Sequence, residues 1–240
     1  MKQIIVLILL AILPLHEIRA QYNTNRLIIS GQSALYYEDY VLSIQYFNQA
    51  LAAKPYLYEP WFYRGLAKFY LDDYTGSEAD VTKAIELNPY VFNMFELRGL
   101  CRIRQKHYAQ AIDDYTRSIN LNPQNQTAWY NRALCRIEDK DYVQAQLDLD
   151  TVITRWKSYA SAYSLKAQVY LLQADTLTAD KWLDKSLQVA PYDVDAWNMR
   201  GMIALSRAEW KNADTYLSKV IHLKPKNAAN YVNRALARYN

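Results

Sequence analysis

Residues 126–157 read QTAWYNRALCRIEDKDYVQAQLDLDTVITRWK, and the opening of that stretch returns at residues 228–238 as AANYVNRALAR. The recurrence runs through the whole chain. Prolines stand at Pro55, Pro89, Pro123, Pro191 and Pro225, with gaps of 34, 34, 68 and 34 residues, and Lys157 fills the one slot that lacks proline. A fixed period of this length marks a stack of supersecondary units. Counted from 31 residues before each proline slot, the repeats begin at Thr24, Tyr58, Phe92, Gln126, Ala160 and Val194, with a partial seventh from Ala228.

Each repeat carries the same residue types at the same slots. The fourth is bulky (Leu27, Trp61, Phe95, Trp129, Tyr163, Trp197, Tyr231) and the eighth small (Gly31, Gly65, Gly99, Ala133, Ala167, Gly201, Ala235). The seventeenth is aromatic at Tyr40, Tyr74, Tyr108, Tyr142 and Trp210, with Thr176 the exception. The twentieth is small again: Ser43, Ser77, Ala111, Ala145, Ala179 and Ala213. Two helices of about a dozen residues pack as an antiparallel hairpin when small side chains let the backbones approach and large ones fill the gaps. The pattern therefore predicts that slot eight meets slot twenty, while the aromatics at four and seventeen wedge between helices. Proline after each second helix stops it, because it cannot donate to the preceding turn. A lone hairpin cannot bury its apolar face, so the expected architecture is one all-α solenoid over residues 24–240.

These slots resemble those of the tetratricopeptide-repeat family across nearly all of residues 24–240. The resemblance implies a right-handed superhelix of six full repeats and one partial, whose first helices line a concave groove for a protein or peptide. Its groove slots, the second, fifth, ninth, twelfth and thirteenth, map here to Phe62, Leu66, Phe69 and Tyr70, then Glu96, Leu100 and Arg104, then Tyr130, Leu134 and Glu138. The fifth and sixth repeats add the more polar Ser164, Gln168, Asn198 and Ser206. The family's clamp for a peptide's C-terminal carboxylate needs Lys at slot five and Asn at slot nine. Ile28, Gln32, Phe62 and Leu66 stand there instead, so that activity is not implied.

Glycine (5) and proline (7) are scarce among 240 residues and tyrosine is abundant at 22, which suits helices packed through aromatic side chains. The net charge of +4 is too small for a nucleic-acid or anionic-membrane surface. At the start, Lys2 precedes the apolar run Ile4–Leu13 and a short polar stretch ending at Ala20. That run is too short to span a bilayer but suits a secretory signal peptide, residues 1–20, cleaved after Ala20. Export to a periplasm or cell envelope is the expectation. The seventh repeat stops at Asn240 after one helix, which reads as a capping helix or as a longer protein cut short. In the latter case the chain would be a structural or targeting arm of an enzyme or sensor.

Cys101 and Cys135 share slot ten of neighbouring repeats. Equivalent points on stacked helices lie about 8–10 Å apart, whereas a disulfide needs Cα atoms within about 7 Å. Two separate, buried thiols are expected. A basic ladder occupies slot seven (Arg64, Arg98, Arg132, Arg200, Arg234) and slot eleven (Lys68, Arg102, Arg136, Arg238). Slot twenty-three supplies Asp80, Asp114 and Asp148, whereas Tyr46 and Trp182 accompany Ser30 and Lys166 at slot seven. Arg200 with Tyr216 breaks the association. Carboxylate pairing between helices explains the ladder better than an anion stripe, either within a repeat or from Asp80 to Arg98 of the next. No phosphate loop, nucleophile elbow, zinc motif or cysteine–histidine pair occurs, so no enzyme activity, cofactor or metal is expected. Asp72/Asp73 and Asp113/Asp114 read as solvated pairs at a turn and on a helix surface.

Overall fold

The computed structural model describes residues 23–239, so the expected signal peptide lies outside the described residues. Among them every regular element is a helix. The chain falls into two compact bodies divided between Gln124 and Asn125, one residue from a boundary of the 34-residue count. The N-terminal body holds α1 (residues 23–36), α2 (Tyr40–Ala53), α3 (Tyr58–Tyr70), α4 (Tyr74–Leu87), α5 (Phe92–Arg104) and α6 (Tyr108–Leu121). The C-terminal body holds α7 (Gln126–Glu138), α8 (Tyr142–Arg155), α9 (Ala160–Leu172), α10 (Thr176–Val189), α11 (Val194–Ser206), α12 (Trp210–Leu223) and α13 (Ala228–Tyr239). Within each body successive helices pack pairwise. From α3 onward, first helices start at slot one and second helices span slots seventeen to thirty.

The boundaries have local causes. At slot fifteen, between the paired helices, Glu38, Asp72, Lys106, Lys140, Ala174 and Ala208 take φ between 57° and 63°. This left-handed residue lets the next amides turn back on the helix just ended. The Asp72 N–H donates to the Phe69 carbonyl at 3.1 Å and the Asp73 N–H to that of Lys68 at 3.0 Å, satisfying carbonyls the helix leaves open. Slot sixteen then caps the second helix: Asp39, Asp73, Asp141 and Asp175 accept from the amides of Leu42, Gly76, Gln144 and Thr178. His107 and Glu209 sit at the same slot without a side-chain cap. Asp73 is exposed at the turn, as expected of it, and caps the helix that follows.

Packing inside each hairpin gives slot eight a second partner besides slot twenty. A Cβ on Gly31 would lie 2.7 Å from the Phe47 ring, on Gly201 2.7 Å from Leu217 Cδ2, and on Gly99 3.0 Å from the Tyr115 ring. All three partners occupy slot twenty-four. That slot (Phe47, Val81, Tyr115, Leu149, Leu183, Leu217) is fully buried in all six repeats. Slot twenty lies beside it and touches the backbone, as where the Ser43 hydroxyl donates to the Gly31 carbonyl at 2.9 Å. The small residue thus makes room for a large one, while its small neighbour lets the main chains close.

In the N-terminal body Val81, Ala84, Met94, Leu97 and Cys101 form a cluster. In the C-terminal body Ala133, Leu149, Val152, Leu165 and Val169 belong to one and Ala167, Leu183, Ala196 and Ile203 to another. Gly65 is the tightest test of this packing. A Cβ there would lie 2.8 Å from Val81 Cγ2 and 3.2 Å from the Ser77 carbonyl oxygen. A β-branched side chain and a backbone atom yield little. Gly65→Ala is expected to lose about 1–2 kcal/mol in urea unfolding, although alanine is the better helix former; unchanged or raised stability contradicts the close approach.

Candidate functional site

The basic ladder resolves into ion pairs, each inside one hairpin. Arg64 Nε and Nη2 donate to the Asp80 carboxylate at 2.7 and 2.6 Å, and Lys68 Nζ lies 2.8 Å from Asp80 Oδ2. Arg98 and Arg102 hold Asp114 in the same way at 2.7 and 2.8 Å, and Arg132 and Arg136 hold Asp148 at 2.7 and 2.6 Å. The pairing is within each repeat, from slots seven and eleven to slot twenty-three. The three aspartates are buried, at 4%, 2% and 2% exposure. Asp114 is thus no solvated surface carboxylate, whereas its neighbour Asp113 is exposed. Burial pushes the Asp114 carboxyl up against the opposing pull of Arg98 and Arg102.

The guanidinium of slot seven does more than pair. It lies over the slot-four ring of its own helix, Arg64 on Trp61 at 4.7 Å and Arg132 on Trp129 at 4.9 Å. It also reaches slot twenty-five of the repeat before, as Arg64 Nη1 does to Asn48 Oδ1 at 2.6 Å and Arg98 Nη1 to Thr82 Oγ1 at 3.3 Å. Where slot twenty-three is aromatic, the cation rests on that ring instead: Lys166 on Trp182 at 4.2 Å and Arg200 on Tyr216 at 5.1 Å. Lys166 then pairs with Asp150, and Arg200 with Asp184 at 2.7 Å, both at slot twenty-five. Slot four also ties its helix to the preceding loop. The Trp61 and Trp197 indoles donate to the carbonyls of Pro55 and Pro191 at 2.9 and 2.8 Å, and the Tyr163 and Tyr231 hydroxyls to those of Lys157 and Pro225. These bonds need the polar tip of the aromatic residue, beyond the wedge expected from its size.

The predicted groove residues divide by depth. Phe62, Leu66 and Phe69 are half-buried and pack on the cluster around Val81 and Met94, and Tyr130 and Leu134 pack on that around Leu149. Glu96 and Leu100 are half-buried as well. Tyr70, Arg104 and Glu138 are open to solvent. Tyr70 stacks on Tyr40 with ring centroids 5.1 Å apart, and Arg104 lies over the Tyr74 ring at 5.7 Å. In the C-terminal body, Tyr130, Ser164, Gln168 and Asn198 line one cavity of about 350 Å³. Ser206 is not part of it. Asp195 and Met199 also line it, and neither was singled out in the sequence. Slot two is one of the expected groove slots, so Asp195 was within reach of the sequence, whereas slot six of Met199 was not among them.

Both cysteines are free and fully buried. Burial pushes the Cys101 thiol up to about 11 and the Cys135 thiol up to about 12, so neither is a reactive thiolate at neutral pH. Cys101 Sγ lies 3.1 Å from Ser77 Oγ. Among the described residues no three His, Cys, Asp or Glu side chains group so as to hold a metal ion, and no helix is long and apolar enough to cross a membrane.

A family model described as the protein prenyltransferase alpha subunit repeat matches residues 108–136. No curated protein matches the chain at a significant level. Several solved structures share its architecture. PilW, a widely conserved type IV pilus biogenesis factor, is 15% identical with a TM-score of 0.74, over 87% of this chain and 97% of its own. PilF of Pseudomonas aeruginosa is 14% identical with a TM-score of 0.72, over 90% and 98%. A tetratricopeptide repeat protein of Parabacteroides merdae is 16% identical with a TM-score of 0.67, over 90% and 84%. At these identities the likeness is one of fold: the chain has the tetratricopeptide-repeat fold.

The buried ion pairs make a quantitative demand on stability. Arg132→Ala strands the Asp148 carboxylate beside Arg136 alone, and calorimetry or urea unfolding is expected to show a loss of about 3–5 kcal/mol. Replacing the set by Arg132→Met, Arg136→Met and Asp148→Leu, which leaves none of these charges unpaired, is expected to recover most of it. A single substitution costing under about 1 kcal/mol contradicts a buried, structural pair.

Proposed function

We propose that the chain is a protein-binding scaffold of the cell envelope, with the partner lying along the exposed face of the first helices. One observation carries this reading. The charged residues of the second and third repeats that could have made a reactive or anion-binding site are consumed in holding hairpins together. Tyr70, Arg104 and Glu138, by contrast, stand open on first helices. Aromatic and arginine side chains over a half-buried apolar floor are the usual anchors of protein interfaces. An extended segment or an amphipathic helix suits such a face. The apolar run Ile4–Leu13 and the pilus-biogenesis role of PilW favour export.

Phe62 and Phe69 are poor probes, because both pack on the core and their truncation would open cavities. Tyr70 and Arg104 are better ones. Tyr70→Ser with Arg104→Glu is expected to leave the helical circular-dichroism signal intact. It should reduce partner capture from the native envelope fraction by about tenfold or more, the scale of an interface hot spot. Undiminished capture by the double variant defeats the assignment of this face. Capture of a partner from cytosol but not from envelope defeats the proposed location.

A further inference from the structure

The cavity in the C-terminal body differs chemically from the rest of that body's surface. Elsewhere in the body most aspartates are occupied: Asp141, Asp175 and Asp193 cap helices, Asp148 and Asp150 pair with Arg132 and Lys166, and Asp184 pairs with Arg200. The Asp195 carboxylate lines the cavity, is exposed, and pairs with no cation among the described residues. Beside it Asn198 Oδ1 is buried and accepts no hydrogen bond. A buried acceptor without a donor loses its water and gains nothing in return, so it favours a donor brought by a ligand.

The remaining walls fit the same ligand. Tyr130 is fixed by an edge-to-face contact with Tyr159, ring centroids 5.3 Å apart at 86°. Burial, with Tyr159, Asp195 and Asp193 adding to it, pushes its phenol up to about 12, so the ring stays neutral at physiological pH. A neutral aromatic ring beside a free carboxylate attracts a cation. Leu171 and Met199 offer an apolar surface for an aliphatic stem. The cations nearest in sequence point elsewhere, Lys166 onto Trp182 and Arg200 onto Tyr216.

We propose that this cavity receives a cationic side chain, arginine or lysine, from the polypeptide held on the first-helix face. The inference rests on the partner-binding reading of that face and names the chemistry one part of it selects. The ammonium or guanidinium would meet the Asp195 carboxylate and the Asn198 carbonyl oxygen, with its stem along Leu171 and Met199. A neutral side chain of the same shape would leave the carboxylate as it was and gain little.

The test uses blocked tripeptides on the full chain, followed by amide chemical shifts in two-dimensional NMR. Acetyl-Gly-Arg-Gly-amide is expected to shift the signals of Tyr130, Ser164, Asp195 and Asn198 saturably, with a dissociation constant on the order of 1 mM. The isosteric citrulline peptide, which lacks the charge, is expected to bind about tenfold more weakly or not at all. Asp195→Asn should bring the arginine peptide down to the citrulline level, and Asn198→Asp should tighten it, since a second carboxylate then faces the cation. Equal binding of both peptides, no saturable shift, or an Asn198→Asp variant that binds no better overturns the proposal. No natural partner takes part in this experiment, so its failure leaves the scaffold reading standing. Failure of partner capture leaves the peptide result unchanged.

Discussion

The structure depends on one steric constraint, the closeness of the two backbones in each hairpin. At slot eight the side chain is absent or a single methyl, and a fully buried slot-twenty-four residue fills the space that results. Because the hydrophobic term scales with apolar area removed from water, this gap has to be filled without voids. Slot eight therefore stays small whatever the size of the residue opposite. Gly31 faces Phe47 and Gly99 faces Tyr115, while Ala133 shares its cluster with Leu149. Everything else in the repeat is arranged around that contact.

Electrostatics supply orientation where apolar packing is indifferent to it. Apolar contact tolerates sliding and rotation, but a bidentate guanidinium–carboxylate pair does not. Arg64, Arg98 and Arg132 each fix the second helix of their own repeat through an aspartate, and Arg64 and Arg98 also reach a polar residue in the repeat before. The fifth and sixth repeats keep the cation and exchange the aspartate for a ring, with Trp182 and Tyr216 receiving the charge on their faces. Two chemistries thus serve one geometric purpose, and Lys166 and Arg200 each take their carboxylate from slot twenty-five of the repeat before.

Period and composition made the hairpins legible, since the proline slots and small residues are spaced by local rules that hold in every repeat. The pairing of Asp80, Asp114 and Asp148 with the ladder was legible too, because absence of the partner in other repeats is itself a signal. Its register was not, since residues within a repeat and across two repeats share the same period. Slot twenty-four was missed because Phe47, Val81, Tyr115 and Leu149 have burial in common but neither size nor residue type. The fifteenth slot was missed for a related reason. Six non-glycine residues take a positive φ there, and no residue type marks them. The first-helix face was only partly legible: side chains at slots five and nine reach both the core and solvent, so Phe62 and Leu66 proved to be half floor and half surface.

A scaffold of this kind keeps its frame constant and varies the side chains on one face, so specificity is confined to residues the packing leaves free. Hydrogen–deuterium exchange of the full chain, alone and with a captured envelope partner, addresses this most directly. The account predicts added protection in first helices, at peptides containing Tyr70, Arg104, Glu138 and Asn198, with second helices such as α4 and α8 unchanged. Protection concentrated on the second helices, with α3, α5, α7, α9 and α11 unaffected, would contradict it.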